Sequence, residues 1–224
     1  MDENRSCWGL LRRRQCLVPT WRGWLALILF ACGLLFCFVR TVEPFLAVSD
    51  PLPGGAMVIE GWASDDAFDA SIAEFNRNHY QRIFVTGGPI THGEPFSEFK
   101  TQAEFGAAIL LKKGLSPDLV QAIPSPRVVK DRTFTEAKTL KRWLGEHGHT
   151  VTQINLITEG PHARRSRLLF EKGLGPEIKV GVMAMPSTEY DQDHWWRSSA
   201  GVRTMIGELL AYAYARLLFC PPKE

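Results

Sequence analysis

The chain has 224 residues with 26 Lys and Arg against 24 Asp and Glu, a length that suits one domain of ordinary size plus an appendage. Residues 1–53 hold six of the basic and four of the acidic residues, which leaves 20 of each for residues 54–224. A folded domain without a basic excess lacks the electrostatic footprint of a nucleic-acid-binding protein. No nucleic-acid partner is therefore expected.

An uncharged segment near the N-terminus predicts a membrane span. Residues 24–39 contain no charge and Arg40 follows them, so a transmembrane helix over 24–40 just spans a bilayer. A basic tail, residues 1–23, precedes it and contains Arg5, Arg12, Arg13, Arg14 and Arg22. By the positive-inside rule the tail stays in the cytoplasm and the rest is periplasmic, which predicts a single-pass protein of the inner (plasma) membrane.

Two alternatives for this segment stay open. Its 16 residues are few for a span, so a buried core helix competes. A cleavable signal peptide is the other alternative, since residues 47–49 are small and occur at a cleavage-like spacing. The absence of cysteine from residues 38–219 suits an oxidising compartment, although a cysteine-free stretch of this length also arises by chance.

The rest of the chain alternates between strand and helix patterns. A linker rich in Pro and Gly, residues 41–55, precedes a domain over residues 56–220. Short apolar runs predict strands over 56–60, 82–86, 119–123, 154–157 and 178–185. Helical patterns cover 65–80 (with Ser64 as N-cap), 96–113, 133–147, the segment after 161, and 199–219. Strands separated by helices pair in parallel, which predicts an α/β fold, a Rossmann-like three-layer sandwich.

The last predicted helix is apolar on one side. The residues assigned to that side are Val202, Ile206, Leu209, Leu210, Ala213, Leu217 and Leu218.

In an open parallel sheet, ligands bind at the carboxyl edge of the strands. The candidate site residues are therefore expected in the segments that leave the strands at that edge.

The segment after the fourth predicted strand is the most informative one. A Gly-Pro break is followed by His162 and then by Arg164, Arg165 and Arg167. The first turn of a helix has unpaired N–H groups and a positive dipole end, so an imidazole with several guanidinium groups there predicts a phosphate or carboxylate site. The alternative is a solvated helix face on which His162 only caps the turn.

Other strand ends provide further candidates. Gly87-Gly88 lets the backbone approach an anion closely, although Gly-Gly-Pro is also an ordinary turn. Glu60 and Glu159 each follow an apolar strand, where partial burial would raise a carboxyl pKa and suit acid–base catalysis; each is equally compatible with a solvated loop.

The segment Asp131-Arg132-Thr133 lies at a loop-to-helix transition and has two interpretations. Thr133 with Glu136 fits a capping box, which is a purely structural role. Alternatively, Arg132 and Thr133 contact the ligand and Asp131 positions an arginine beside it. The Asp and His residues at 191–194 match no standard metal signature, so no metal and no cofactor are expected.

The ordered set of these motifs resembles the YdcF/SanA/ElyC family, in particular its membrane-anchored SanA/ElyC-like branch. The matching pieces are Ile59-Glu60-Gly61, Val85-Thr86-Gly87-Gly88, Arg132-Thr133 and His162-x-x-Arg165, within about residues 55–215. Where many relatives have Glu-Ala early in the second helix, this chain has Gln102-Ala103 with Glu104 beside it, and Glu60 replaces a frequent glycine. If that acid is catalytic in the family, its role is retained here only where Glu104 or Glu60 substitutes for it. Glu104 is also a candidate positioning residue beside the site.

What the resemblance implies is a Rossmann-like domain that works in cell-envelope biogenesis. It suggests a phosphorylated envelope lipid or glycan precursor, of the polyprenyl-phosphate or peptidoglycan class, as ligand. An enzyme would be a hydrolase or phosphoryl-transfer enzyme with His162 as general acid or nucleophile. The alternative is a non-catalytic envelope-barrier module, or a protein that binds a nucleotide or S-adenosylmethionine-type ligand.

Overall fold

A computed structural model describes residues 18–91 and 98–222. The chain divides into two units, one up to Arg40 and one from Thr41 onwards. The first helix, α1, runs over Trp21–Leu46 and has a mean hydropathy of 2.4 in its most apolar window. By length and composition α1 can cross a membrane, although a signal sequence passes the same test. Most of the basic tail predicted for residues 1–23 lies outside the described residues.

The linker predicted for residues 41–55 is helical in its first part. Pro44 lies inside the last turns of α1, which ends only at Leu46. Val42 and Leu46 are buried in the second unit, so these turns form part of the folded domain. The structure differs from the predicted linker in this part, because α1 continues through Pro44 and its last turn packs into the domain.

The domain alternates strands and helices in the predicted order. The strands are β1 (Gly55–Glu60), β2 (Tyr80–Gly87), β3 (Val120–Pro124), β4 (Gln153–Glu159) and β5 (Lys179–Met185). The helices are α2 (Asp65–Arg77), α3 (Gln102–Lys112), α4 (Arg132–Glu146), α5 (His162–Leu174) and α6 (Ser199–Leu217), with a 3₁₀ helix at Gln192–Arg197. All pairings in this five-stranded sheet are parallel, in the order β3-β2-β1-β4-β5. The predicted α/β class is confirmed.

The central strands are buried on both faces, as parallel strands covered by helices must be. Val58 of β1 pairs with Phe84 of β2 and with Leu156 of β4, and all three are almost fully buried. Side chains of α4 and α5 pack on this face, and those of α2 and α3 pack on the other. The result is a helix–sheet–helix sandwich.

The strand order fixes where a ligand can bind. The chain moves outwards in one direction from β1 to β2 and β3, then returns to place β4 on the other side of β1. The connections therefore diverge between β1 and β4, which opens a crevice beyond their carboxyl ends. Glu60 ends β1 and Glu159 ends β4, so both border this switch point.

The last helix, α6, is rotated in a way the apolar pattern did not predict. Ile206, Leu210, Leu217 and Leu218 are exposed. Glu208, the acidic residue among them, is buried instead. Four of the seven residues assigned to one apolar side therefore face outwards, and the ion pairs described below hold Glu208 towards the core instead.

Candidate functional site at the switch point

A cavity of about 390 Å³ opens at the carboxyl edge of the sheet. It lies beside Trp62, which follows β1, between the N-terminal ends of α4 and α5 and one side of α6. Its polar lining residues are Gln102, Lys130, Asp131, Arg132, Thr133, Glu136, His162 and Arg165. The location is the one that the strand order predicts for a ligand.

His162 is the first residue of α5 and is held from two sides. Its Nδ1 lies 3.0 Å from Oε1 of Glu208, and its ring meets Trp62 edge to face at 4.7 Å between centroids. Arg165 Nη2 lies 2.9 Å from the same Nδ1, but a guanidinium nitrogen can only donate. We assign the Nδ1 proton to the bond with the Glu208 carboxylate, so that Arg165 Nη2 donates to Glu208 Oε1 and its approach to Nδ1 is not a hydrogen bond. With this assignment Nε2 of the neutral ring carries the free lone pair.

Glu208 also binds Arg165 through both carboxylate oxygens. Arg165 donates from Nε to Oε2 at 2.7 Å and from Nη2 to Oε1 at 3.1 Å. Burial alone would raise the pKa of Glu208, but the hydrogen bonds from His162 and Arg165 outweigh it and lower the pKa to about 2. Glu208 is therefore an anion that fixes both a histidine and an arginine of the cavity.

Two further carboxyl groups are buried beside this trio. Glu60 accepts from the hydroxyl of Ser166 at 3.2 Å, and Glu136 accepts from the hydroxyl of Thr86 at 3.3 Å. Burial raises the pKa of Glu60, against the opposing charges of His162 and Arg165. Burial, together with the charge of Glu60, raises the pKa of Glu136 to about 8. At least one of the two is therefore a neutral acid near pH 7, able to donate a proton.

The N-terminal end of α4 contributes positive charge and free backbone donors to the cavity wall. Asp131 precedes the helix in a left-handed conformation, with φ at 59°, and its side chain makes no capping hydrogen bond. Such a conformation is costly for a residue other than glycine and is often found at binding sites. Arg132 and Thr133 begin the helix, where N–H groups lack partners within the helix.

The capping box predicted for Thr133 and Glu136 is wrong. Glu136 instead accepts a hydrogen bond from the hydroxyl of Thr86, and the N-cap residue of α4, Asp131, makes no side-chain capping hydrogen bond. The capping box is at α3, where Thr101 accepts from the backbone N–H of Glu104 and Glu104 accepts from that of Thr101. Glu104, a candidate positioning residue, is therefore a capping residue.

Three other sequence candidates lie away from the cavity. Gly87 packs against the start of α3, where an added Cβ would lie 2.7 Å from the Ala103 nitrogen, and the carbonyl of Gly88 accepts from Gln102. Neither glycine is among the residues that line the cavity. The missing side chain of Gly87 instead allows the end of β2 to approach the start of α3 closely. Arg164 donates to the carbonyl of Phe45 and stacks over its ring at 4.1 Å.

Glu159 has a structural partner as well. Its carboxylate accepts from the backbone N–H of Ser64, the N-cap of α2, and so ties the end of β4 to the start of that helix. It lines a smaller neighbouring cavity of about 100 Å³ together with Trp62 and His162. Glu159 is thus at the predicted edge of the sheet but engaged by the backbone.

The structure brings five of the sequence candidates together at one cavity, namely His162, Arg165, Arg132, Thr133 and Asp131. Glu208 was not among the sequence candidates. The only signal for it was a single acid, within α6, among apolar residues of the helix core. Among residues 18–91 and 98–222, no group of three or more His, Cys, Asp or Glu side chains is arranged to hold a metal ion.

Comparisons with known protein families, with curated proteins and with solved structures gave no match.

Proposed function

We propose that this protein is anchored in the inner membrane and binds and processes a phosphorylated cell-envelope intermediate on the periplasmic side. The polyprenyl-phosphate and peptidoglycan-precursor class is the favoured ligand. The observation that carries the proposal is the fixed trio of Glu208, His162 and Arg165, which borders a cavity whose opposite wall is the N-terminal end of α4.

The charges around the cavity suit a phosphate group. Lys130, Arg132 and Arg165 line it, and the helix dipole of α4 adds positive potential at the same wall. Glu208 occupies two of the three guanidinium nitrogens of Arg165, which holds the side chain in place and leaves Nη1 for a ligand. Arginine, lysine and helix N-termini all bind phosphate in proteins.

The same residues can catalyse phosphoryl transfer. Nε2 of neutral His162 attacks phosphorus, a nitrogen–phosphorus bond forms, and the phosphorus–oxygen bond to the leaving group breaks. Neutral Glu136 gives its proton to the leaving oxygen. Water then attacks the phosphorus, gives a proton to the Glu136 carboxylate and breaks the nitrogen–phosphorus bond, which releases phosphate and restores both His162 and neutral Glu136. Glu208 stabilises the positive charge that develops on the imidazole in the first step.

The favoured substrate class follows from where the domain would lie. A helix apolar enough to span a membrane continues into the domain, and phosphorylated polyprenyl carriers present their headgroups at the membrane surface. The resemblance to the YdcF/SanA/ElyC family points to the same compartment. The orientation with the N-terminus in the cytoplasm belongs to this proposal.

The test uses the full chain in detergent micelles with farnesyl pyrophosphate as substrate and free phosphate as readout. We expect His162→Ala and Arg165→Ala to lower the rate at least about 100-fold, the usual contribution of a catalytic acid, base or nucleophile. His147→Ala and Arg164→Ala are the matched controls. The first removes an exposed histidine stacked on Trp143, and the second removes the arginine that faces Phe45. Equal rates in wild type and His162→Ala would refute the assignment.

Thermal melts of the wild type and of site variants distinguish a protein that only binds its ligand from one that also catalyses a reaction. Inorganic pyrophosphate should raise the melting temperature of the wild type and of His162→Gln, but not that of Arg165→Ala, because a ligand stabilises the state it binds. If pyrophosphate stabilises the wild type while no phosphate is released, the non-catalytic module is the better description. If only adenosine-type ligands stabilise it, the nucleotide or S-adenosylmethionine alternative replaces the proposal.

A further inference from the structure

A smaller cavity adjoins the main one at Trp62 and His162, which line both. It has a volume of about 100 Å³ and is called the small cavity below. Its other lining residues lie at the end of β4, after β5 and in α6, and are Glu159, Pro161, Ser187, Glu189, Tyr190 and Thr204. A group attached to a phosphate in the main cavity would therefore lie next to the small cavity.

The linings of the two cavities differ in charge. Lysine and arginine outnumber carboxyl groups in the main cavity by three to two. The small cavity has the carboxyl groups of Glu159 and Glu189 and, among its lining residues, no Lys or Arg. Within residues 18–91 and 98–222, neither glutamate forms an ion pair with a lysine or arginine. The small cavity therefore has negative charge that the domain itself does not balance.

Tyr190 provides a second, independent indication of a ligand. It lines the small cavity and is only 8% exposed, and its buried hydroxyl has no hydrogen-bond partner in the described part of the chain. The hydroxyl lies beside Gly160, between two lining residues, since a Cβ added there would be 3.5 Å from it. Burial, and then the charges of nearby glutamates, raise the pKa of Tyr190, so it stays protonated. An unpaired buried hydroxyl costs free energy, which a ligand that bonds to it recovers.

The charge and the size of the small cavity indicate the chemical group that fits it. Carboxylates repel a second phosphate, whereas an ammonium group balances their charge and donates three hydrogen bonds. Among the described residues, no group of three or more His, Cys, Asp or Glu side chains is arranged to hold a metal ion. A volume of about 100 Å³ is the share of roughly three water molecules in the liquid, which suits a short aminoalkyl chain rather than a sugar ring.

We propose that the small cavity binds an ammonium group, so that the ligand is a phosphate ester with a short aminoalkyl substituent, the chemistry of phosphoethanolamine. Glu189 and Glu159 balance the charge of the ammonium group, and the hydroxyl oxygen of Tyr190 accepts one of its N–H bonds. Glu159 has an oxygen left for this role, because its bond with the backbone of Ser64 uses Oε1 alone. The inference rests on the proposed function, since the phosphate has to lie in the main cavity.

The experiment is isothermal titration calorimetry of the full chain in detergent micelles at pH 7, with two ligands of equal length. Phosphoethanolamine has an ammonium group where 2-hydroxyethyl phosphate has a hydroxyl. We expect the wild type to bind phosphoethanolamine at least about 10-fold more tightly, because hydrogen bonds between charged groups are the stronger ones. Glu189→Gln should remove this preference and leave the Kd of 2-hydroxyethyl phosphate unchanged. Glu177→Gln, which changes an exposed glutamate before β5 at the opposite edge of the sheet, is the matched control and should keep the preference.

Tyr190→Phe is the second variant, needed if Glu189→Gln perturbs its loop. It should lower the preference for phosphoethanolamine with an equal or higher melting temperature, because it removes a buried hydroxyl that has no partner in the described residues. Dihexanoyl phosphatidylethanolamine distinguishes the two sources of the group. Tighter binding than that of phosphoethanolamine would support a lipid headgroup as ligand, and weaker binding would support the free ester.

Failure of this inference is distinguishable from failure of the proposed function. Equal affinities for the two esters in the wild type, or a preference that both variants retain, would overturn the ammonium site and leave the phosphate cavity intact. Absence of binding by either ester, while pyrophosphate still stabilises the protein, would overturn it as well. If neither the esters nor pyrophosphate bind, the phosphate cavity itself is refuted, and the ammonium site with it.

Discussion

Removing the charge of Glu208 should destabilise the domain and disorganise its site. In Glu208→Gln the partly buried guanidinium of Arg165, whose side chain is 19% exposed, loses its anionic partner. The pKa of Glu208 falls from the ordinary 4.5 to about 2, a difference that corresponds to roughly 3 kcal/mol of interaction in the folded state. A similar cost of about 3–5 kcal/mol is usual when one partner of a buried ion pair is removed.

The pH dependence gives the sign of this effect. A carboxyl group whose pKa is lowered by folding contributes stability above its unfolded pKa, near 4.5, and the contribution is lost as the pH falls towards about 2. The gap in unfolding free energy between wild type and Glu208→Gln should therefore be full at pH 7 and close between pH 4.5 and 2. Glu171→Gln, which removes the exposed partner of Arg167, is the control and should cost less than about 1 kcal/mol.

The assay is urea unfolding of the full chain in detergent micelles, followed by tryptophan fluorescence, at a series of pH values. Trp62, one of the seven tryptophans of the chain, contacts the ring of His162 and contributes to this signal. If Glu208→Gln is within about 0.5 kcal/mol of wild type at pH 7, the ion pair does not hold α6 and the assignment of the trio is refuted.

Three further predictions concern the acid pair, the helix packing and the topology. Because burial raises the pKa of Glu136 to about 8, wild-type stability should fall as the pH rises from 4.5 through 8. Glu136→Gln mimics the neutral acid and should reduce that loss in urea titrations, leaving the part that belongs to Glu60, whose pKa burial also raises. In thermal melts, Gly173→Ala should destabilise the domain by about 1–3 kcal/mol, since the added Cβ would lie 2.5 Å from the Cβ of Ala137. Gly145→Ala is the control: the space around Gly145 is open, so the substitution should stabilise the domain by about 0.5–1 kcal/mol. A reporter that is active only in the periplasm should work when fused after Glu224, and one active only in the cytoplasm should not.

The sheet was predictable because its strands are buried on both faces. The apolar runs that contain Val58, Phe84 and Leu156 have no polar alternation, which is the mark of a central parallel strand. The start of α2 at Ser64 was also readable, because capping is a local interaction between neighbours in the chain. The helix start at Gln102 was not predicted, since the preceding segment has the same helical pattern.

The two Thr-x-x-Glu motifs show where local patterns stop being informative. Thr101–Glu104 and Thr133–Glu136 have the same spacing, yet only the first forms a capping box. The second glutamate is drawn to Thr86 at the end of a neighbouring strand, a contact between residues 50 apart in the chain. Burial of that carboxyl group is decided by the sheet, and a sequence window around the helix start does not contain this information.

For the arginines after His162, in contrast, the sequence spacing alone distinguishes a residue of the site from one outside it. Arg165 lies three residues after His162 and shares its helix face, while Arg164 points elsewhere, to the carbonyl of Phe45. On a helix that begins at His162, residues at i and i+3 are neighbours and those at i+2 are not. The spacing therefore predicts Arg165, and not Arg164, as the neighbour of His162, a difference that is lost when the arginines are considered as one group.

Glu208 could not be found from its own segment, because its partners are more than 40 residues away in α5. Its position nevertheless explains the exposed side of α6. Ile206 and Leu210 lie two residues before and after it, which on a helix is about 200° around the axis. Any rotation that brings the carboxylate to His162 and Arg165 must turn these two side chains away from the core. Turning them back inwards would expose Glu208 and leave a partly buried guanidinium unpaired, at a cost of several kcal/mol. The same ion pairs that position the histidine therefore also set the rotation of α6.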